Sequence, residues 1–311
     1  MLSVRPYVAA DAPAWDAVVE RSRNGNLLHR RGYMDYHANR FTDASLVIEK
    51  AGEMVAVLPA NIDGAYVTSH GGLTYAGLIS TRALRAVATL EVFERIGAHF
   101  RAQGVTRLIY KAVPHVFQAY PAEEDLYALH RLGARLHRRD LSSVIALQGV
   151  FHFTEERRRA IQRARRSGLT MTSGGDLAAF HALLSHVLAA HDAAPTHSLD
   201  ELRLLKSRFP GHIVLHEVRD NDELLAAALV YDLGPAVHTQ YLAASDEGRR
   251  RQALSLLLGD LIEVVYAHKR HFSFGISTEQ AGMVLNNGLV EQKERFGARS
   301  VVHDFYTWDI A

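Results

Sequence analysis

The sequence predicts an α/β (α+β) protein of two tandem units, because its two halves repeat one order of elements. Each half contains a hairpin of apolar strands, a further strand, a long amphipathic helix and a buried strand. The hairpin, long helix and buried strand lie at residues 45–62, 82–103 and 107–112 in the first half and at 213–233, 249–268 and 271–275 in the second. The halves share little residue identity, so the repeat predicts architecture rather than chemistry.

Composition narrows the class of protein. The 311 residues carry a formal net charge of +1, and we expect no DNA partner because general nucleic-acid binding needs a basic face. The absence of cysteine excludes disulfides, thiolate metal sites and a cysteine nucleophile. The first residues lack the apolar run of a signal peptide, and no window approaches the roughly 18 apolar residues of a membrane span. We therefore expect a cytoplasmic protein without a metal.

A basic helix is predicted where the two halves meet. Residues 153–167 carry a series of arginines and end at Gly168, a residue typical of a helix C-terminus. The arginines are Arg157, Arg158, Arg159, Arg163, Arg165 and Arg166. We place the boundary near Gly149, which gives units at residues 1–149 and 150–311. A solvated helix face explains the arginines, and contact with RNA or anionic lipid is the alternative.

Polar residues, glycines and aromatics crowd together at residues 274–308, a mixture that core packing alone does not require. The pattern predicts the end of a central strand, a loop with Glu279, a helix presenting Asn286 to Lys293, and a closing strand. We interpret this segment as one wall of an active site in the second unit.

The order of elements in each half resembles that of the Gcn5-related N-acetyltransferase (GNAT) fold. Two such units in tandem resemble the FemAB-like aminoacyl transferases and the sugar N-acyltransferases of bacterial polysaccharide biosynthesis. Three stretches carry the resemblance: SHGGLTYAGLI (69–79), EERRRAIQRARRSGL (155–169) and FGISTEQAGMVLNNGLVEQKERFGAR (274–299). The resemblance covers nearly the whole chain and implies, in each unit, a mixed and largely antiparallel central sheet flanked by helices.

The resemblance implies an N-acyltransferase that moves an acyl group from acyl-CoA to the amine of a nucleotide-linked amino sugar. A FemAB-like transferase that uses aminoacyl-tRNA and acts on a peptidoglycan precursor is an alternative, although no long heptad insertion for a tRNA-binding arm is visible. A non-catalytic protein that binds a sugar nucleotide is the third interpretation. Acyl chain, sugar, nucleotide and oligomeric state stay open.

Coenzyme A is expected in the second unit. The strand Tyr241, Leu242 and Ala243 would lie beside the thioester, and the loop at residues 244–253 would hold the pyrophosphate. Its phosphate-binding candidates are Gly248, Arg249, Arg250 and Arg251, although the loop departs from the family's glycine-rich pattern. The equivalent loop of the first unit has no glycine, so we assign that unit to the acceptor.

Glu279 and His238 are the candidate catalytic residues. Glu279 follows a central strand, and a carboxyl buried there would have a raised pKa suited to a general base. Its alternative role is in a helix capping box. His238 lies on the strand beside the expected thioester and suits proton transfer near neutral pH, although a histidine packed in the core is equally compatible. Glu291, His303 and His70 are further candidates, and a side-chain base is not obligatory.

The acceptor is expected to contact polar residues of both units. The candidates are His70, Tyr75, Asn286, Asn287 and Lys293. Amides can bond sugar hydroxyls, and lysine can meet a phosphate. A turn or helix cap at Asn287 and a solvated face of the helix are the alternatives.

Overall fold

The chain divides into two compact units in the computed structural model, which describes residues 2–190 and 192–310. Unit 1 comprises Met1–Leu141, Gln280–Val284 and Val302–Ala311, and unit 2 comprises Ser142–Glu279 and Leu285–Val301. This division by contacts is not one cut of the chain, because the last strand returns to unit 1. The boundary near Gly149 therefore stays a prediction about the sequence repeat.

Unit 1 contains the first strands and helices of the chain. Its strands are β1 (Leu2–Pro6), β2 (Thr42–Asp43), β3 (Leu46–Lys50), β4 (Glu53–Leu58), β5 (Asn61–Asp63), β6 (Tyr66–Thr68), β7 (Ile79–Ser80), β8 (Arg107–Lys111) and most of β9 (Arg135–Ala146). Its helices are α1 (Ala12–Arg21), α2 (Arg31–Met34), α3 (Ala86–Ala102) and α4 (Glu124–Arg131). Helix α3 packs aromatic and aliphatic side chains, including Phe93 and Phe100, into the core of the unit.

Unit 2 contains the elements that follow β9. Its strands are β10 (Met171–Ser173), β11 (Ile213–Asp220), β12 (Glu223–Asp232), β13 (Ala236–Ala244), β14 (His271–Ile276) and β15 (Thr278–Glu279). Its helices are α5 (Glu155–Arg166), α6 (Leu177–Ala189), α7 (Leu199–Arg208), α8 (Asp246–Arg250), α9 (Ala253–Asp260) and α10 (Asn287–Glu294). The remaining strands are β16 (Val284–Leu285) and β17 (Arg299–Asp309). Each has its first residues in one unit and its last residues in the other.

Both units have the mixed, largely antiparallel sheets that the family resemblance implies. In unit 2 the order β10-β11-β12-β13 is antiparallel, β13 and β14 are parallel, and β14 pairs with residues 142–146 of β9. In unit 1, β1-β3-β4-β7 is antiparallel, and β8 lies between β6 and the last residues of β17. No helix of residues 2–190 or 192–310 is long and apolar enough to cross a membrane.

Strands β13 and β14 part soon after they meet. They pair only from Ala236↔His271 to His238↔Ser273. Opposite β12, the register shifts between Thr239 and Tyr241, so a β-bulge bends β13 at this point. Because a bulge re-aims a strand, the second half of β13 follows β12 and leaves β14.

The single helix predicted over residues 249–268 is wrong. Helix α8 ends at Arg250, and Gln252 takes a left-handed conformation (φ +61°) before α9 begins. A π-helical turn, Leu261–Val265, follows α9. A non-glycine residue at positive φ interrupts α-helical hydrogen bonding, so α8 and α9 are separate helices, a break that the hydrophobic pattern does not encode.

Gly248 allows helix α8 to pack closely against β12. Helix α8 lies so close to β12 that a Cβ at Gly248 would lie 1.9 Å from the carbonyl oxygen of Leu225. The Ser245 hydroxyl caps the helix and accepts a hydrogen bond from the Gly248 N–H at 3.0 Å. Any side chain here would displace backbone, which cannot yield as a flexible side chain can.

We expect Gly248→Ala to destabilise the protein by about 2–4 kcal/mol, because the new methyl group would collide with the Leu225 carbonyl. Urea unfolding followed by circular dichroism measures the change. Gly211→Ala is the control, since a Cβ there meets nothing within 4 Å. Equal stability of the two variants would contradict this account of how α8 packs against β12.

Candidate active site

A cleft of about 530 Å³ lies within unit 2, where β13 has parted from β14. Its size falls in the range of roughly 300–1,000 Å³ typical of small-molecule sites. Most of its wall is apolar, with polar and cationic groups among the aliphatic and aromatic side chains. The lining residues are Arg157, Val187, Leu242, Ala243, Ala244, Gly248, Arg249, Gln252, Leu254, Ser255, Leu258, Phe274, Leu289, Gln292, Lys293 and Phe296.

One edge of the cleft is the backbone of β13. Leu242, Ala243 and Ala244 line it, and beyond His238 the described residues give this strand no partner on its β14 side. Thr239 bridges the first step of the gap, where its hydroxyl donates to the Ser273 carbonyl at 3.3 Å. The edge therefore presents backbone N–H and C=O groups to the cleft, and its N–H groups could donate to a ligand carbonyl.

Lys293 fixes the other edge. Its Nζ donates to the carbonyl oxygens of Gly275 and Ile276, both at 2.8 Å, and to the Ser277 hydroxyl at 2.7 Å. These acceptors hold the end of β14 where it turns away from β13. Burial lowers the pKa of the Lys293 ammonium to about 8, since desolvation disfavours its charged form.

Arg157 is a lining residue that the sequence interpretation missed, since it was read as part of a solvated helix face. Its guanidinium lies 4.5 Å from the ring centre of Phe296, and its Nη1 donates to the Ser255 hydroxyl at 2.5 Å. A signal for this placement was available. Arg157 precedes the buried Ala160, Ile161 and Ala164 by three, four and seven positions, the spacing of one helix face.

The predicted coenzyme A residues divide into two groups. Leu242, Ala243, Gly248 and Arg249 line the cleft, whereas Tyr241, Arg250 and Arg251 do not appear in its wall. The Tyr241 hydroxyl instead bonds Nδ1 of His197 at 2.7 Å.

Carboxylates accompany each of the three predicted loop arginines. Arg249 pairs with Asp246 at 2.8 Å. Arg250 pairs with Glu247, and Arg251 pairs with Asp220 on β11. The loop is therefore close to electrically balanced before any ligand binds.

The two predicted catalytic residues lie outside the residues that line the cleft. His238 is half-buried at the point where β13 and β14 part, and its Nδ1 lies 3.1 Å from the Ser273 hydroxyl. Glu279 is exposed at the end of β15, where its carboxylate accepts a hydrogen bond from the Asn286 side chain at 2.8 Å. Their catalytic roles stay predictions.

Asn286 caps the predicted helix. Its side chain accepts from the Leu289 N–H at 3.0 Å, and α10 begins at Asn287. Asn286, Asn287 and the candidate base Glu291 are exposed, whereas Lys293 on the same helix is buried. Helix α10 thus faces the cleft with Leu289, Gln292 and Lys293.

The acceptor residues predicted in the first half lie in a loop of unit 1. His70 is buried at φ +57°, and desolvation lowers its pKa to about 3. The Tyr75 ring stacks on Phe117 at 4.7 Å, and its hydroxyl accepts from the Asn26 amide at 3.2 Å. The further candidate His303 is buried against the rings of Tyr75 and Phe117.

The buried side chain of Lys111 donates hydrogen bonds to the backbone of that loop. Its Nζ donates to the carbonyl oxygens of His70 at 3.2 Å, Gly71 at 3.4 Å and Leu73. Burial lowers its pKa to about 8. Unit 1 thus contains a second lysine whose ammonium is bonded to backbone oxygens at the end of a central strand.

Residues 152–281 match a family model described as the acetyltransferase (GNAT) domain. The matched segment contains β13, α8, α9 and β14, and with them most of the cleft. No curated protein matches the chain by sequence.

Solved structures with the same fold cover nearly the whole chain. FemX is 12% identical, covers 99% of this chain and 97% of its own, and has a TM-score of 0.71. The C-terminal domain of a putative lysylphosphatidylglycerol synthetase from Agrobacterium fabrum is 14% identical, with coverage of 97% and 92% and a TM-score of 0.65. A tandem GNAT protein from the clavulanic acid biosynthesis pathway is 13% identical, with coverage of 100% and 99% and a TM-score of 0.53. The predicted tandem GNAT-like fold is confirmed.

We expect the stability that Lys293 contributes to increase between pH 8 and pH 10. The native pKa of about 8 lies below the usual 10.5, so in this window the unfolded chain binds more protons, and native stability rises with pH. Relative to Lys293→Met, the wild type should gain on the order of 2–3 kcal/mol across the window. Urea unfolding at both pH values measures this gain, with the exposed Lys50 replaced in the control Lys50→Met. A pH-independent difference would mean that Lys293 titrates as it does in the unfolded chain.

Proposed function

We propose that this protein is an N-acyltransferase that takes an acyl group from acyl-CoA bound in the cleft of unit 2. The parting of β13 and β14 carries the proposal, since it opens an apolar cleft of about 530 Å³ along the part of β13 beyond His238, where the described residues give the strand no partner on its β14 side. The cleft lies mainly in the segment that matches the acetyltransferase (GNAT) model. A pantetheine arm is a long chain with amide groups, which suits an apolar wall edged by backbone.

The strand edge supplies what thioester chemistry needs. In the proposed complex the acyl carbonyl oxygen points at backbone N–H groups of β13 near Leu242 and Ala243, which line the cleft. Donors aimed at the negative charge that develops on this oxygen lower the activation free energy by roughly 3–4 kcal/mol. They cost no reorganisation, because the sheet already fixes β13 against β12.

The reaction is a direct transfer in a ternary complex. The nitrogen of a neutral amine attacks the thioester carbonyl carbon, a C–N bond forms and the C–S bond breaks. The proton lost by nitrogen and the proton gained by the thiolate balance, so the products are an amide and coenzyme A. No metal, oxidant or further co-reactant is needed.

For the acceptor we propose the amine of a nucleotide-linked amino sugar. Support comes from the resemblance of residues 274–299 to acyltransferases of that class and from the polar character of α10. Its first turn exposes Asn286 and Asn287, whose amides can bond sugar hydroxyls. His70 and Tyr75 in unit 1 remain the proposed acceptor residues of that unit.

A FemAB-like transfer from aminoacyl-tRNA is the second candidate. The outer face of α5 favours it, because Arg158, Arg159, Arg163 and Arg166 are exposed there. Arg158 and Arg159 share the single carboxylate of Glu155, so cationic charge remains available to a phosphate backbone. Salt-sensitive RNA binding that is lost when these four arginines are neutralised would favour this candidate.

Coenzyme A should raise the melting temperature of the protein, since a ligand of the native state stabilises it by RT ln(1 + [L]/Kd). Leu289→Trp should reduce the apparent affinity for coenzyme A, read from this shift, at least about tenfold. Leu289 lines the cleft and is 37% exposed, so the larger ring would fill the cleft without disturbing a core. Val264→Trp is the matched control, at a site 68% exposed and outside the cleft wall. Differential scanning fluorimetry measures both.

Turnover is measured as thiol release when acyl-CoA is mixed with amino sugar nucleotides. No thermal shift with any acyl-CoA at millimolar concentration would overturn the donor. A shift with coenzyme A but no turnover with any amino sugar nucleotide would overturn the acceptor and leave the donor in place.

Glu279→Ala and His238→Gln test the two predicted catalytic residues. For a residue that acts in proton transfer, we expect turnover to fall about 100-fold or more while the affinity for coenzyme A stays within about twofold. The comparison requires single-turnover rates and calorimetric binding on the same samples. An equal loss of both quantities would assign the residue to structure instead.

A further inference from the structure

The charge lining the unit 2 cleft has one sign. Among the described residues that line it, three have cationic side chains, Arg157, Arg249 and Lys293, and none is an aspartate or glutamate. A partly apolar cleft with cations and no carboxylate favours an anionic ligand, because the charge is otherwise left without compensation.

Two of these cations are already used within the protein. Arg249 pairs with Asp246 at 2.8 Å. The Nζ of Lys293 donates to three acceptors at the end of β14, which accounts for all of its N–H bonds. Neither is a strong candidate for the main counter-ion of a ligand.

Arg157 is different. Among the described residues it has one side-chain hydrogen bond, to the Ser255 hydroxyl at 2.5 Å, and no carboxylate within ion-pair distance. Its Nε is buried without a hydrogen-bond partner. A guanidinium has five N–H donors. With one bonded to Ser255 and the Nε–H buried, its remaining Nη N–H groups can donate to a ligand at the cleft wall. Desolvation lowers the pKa of Arg157, and the nearby charge of Glu156 offsets this only in part.

The surroundings of Arg157 fix its orientation. The guanidinium stacks over Phe296 at 4.5 Å, and Ser255 in turn donates to the Gln252 side chain at 3.0 Å. This chain of contacts holds the planar group beside the first turn of α9. A pre-oriented guanidinium loses less entropy when it binds a phosphate.

The start of α9 adds to the same site. The N–H groups of Ala253, Leu254 and Ser255 occupy the first three positions of this helix, where no intrahelical acceptor exists. Leu254 and Ser255 line the cleft together with Arg157. The helix dipole and these donors reinforce the attraction of Arg157 for an anion.

We propose that Arg157, on the helix that precedes the first strand of unit 2, binds a phosphate group of the acyl donor. This role was expected of Arg249, Arg250 and Arg251, whose charges are balanced by Asp246, Glu247 and Asp220. The inference rests on the proposed function for the identity of the donor. Its chemistry, a phosphate close to an acyl group on a flexible end, is shared by coenzyme A and by the 3′ end of an aminoacylated RNA.

Calorimetry with two probes tests the proposal. Coenzyme A carries the phosphates, and pantetheine has the same thiol arm without them. For Arg157→Met, whose chain can still cover Phe296, we expect a 10- to 100-fold loss of affinity for coenzyme A, the range of charge-assisted hydrogen bonds. The affinity for pantetheine should stay unchanged, and Arg157→Lys should give an intermediate loss for coenzyme A.

Arg203→Met is the control, since Arg203 lies on α7 of unit 2 with a side chain 55% exposed and outside the cleft wall. It should bind both probes as the wild type does. The wild type should also lose affinity for coenzyme A as salt rises, and Arg157→Met should lose less. Ser255→Ala should reproduce part of the Arg157→Met effect, because it removes the hydroxyl that orients the guanidinium.

Three results would overturn the assignment. If Arg157→Met binds coenzyme A as the wild type does, Arg157 is not the phosphate ligand, and the proposed function stands. If coenzyme A and pantetheine lose affinity equally, Arg157 only packs the cleft wall. If the wild type binds neither coenzyme A nor a short RNA hairpin ending in CCA, the inference and the proposed function both fall. Loss of RNA binding in Arg157→Met, with no coenzyme A binding in the wild type, would keep the phosphate site and change the donor.

Discussion

The bonding of Lys293 to the end of β14 is the constraint on which the cleft depends. Two parallel strands that pair along their full length would leave no space for a ligand. Here the bulge near Thr239 turns β13 towards β12, and the Lys293 ammonium holds residues 275–277 on the other side of the gap. Neither the bulge in β13 nor the Lys293 side chain needs to touch a substrate in order to keep the two strands apart. The cleft is thus a property of the backbone, secured by one buried cation.

The sequence predicted the order of elements well, because hydrophobic periodicity and turn residues are local signals. The side chains of Asp176 and Ser198 cap the N-termini of helices α6 and α7, a local signal of this kind. The break at Gln252 could not be predicted in this way. Gln252 there takes a left-handed conformation that its residue type does not favour. The close approach of Gly248 to the Leu225 carbonyl could not be predicted either, because these residues lie on different elements and meet only in the folded unit.

The candidate site was predicted in part. Leu242, Ala243, Gly248 and Lys293 were singled out and line the cleft, because a strand, a loop and a helix of the expected fold bring them there. Arg157 was missed because the arginines of α5 were read as one solvated face, although only some of them face away from Ala160 and Ile161. Carboxylate partners from other elements, such as Asp220, could not be read from local sequence.

The return of the last strand to unit 1 has a consequence for synthesis of the chain. In unit 1, β8 pairs through residues 107–111 with residues 305–309 of β17. A nascent chain emerges from its N-terminus, so unit 1, which begins first, must wait for β17, which follows the elements of unit 2 in sequence. Until then one edge of β8 presents unpaired backbone groups, the kind of edge that recruits other chains. The ribosome therefore finishes both units at almost the same moment, although it starts them far apart in time.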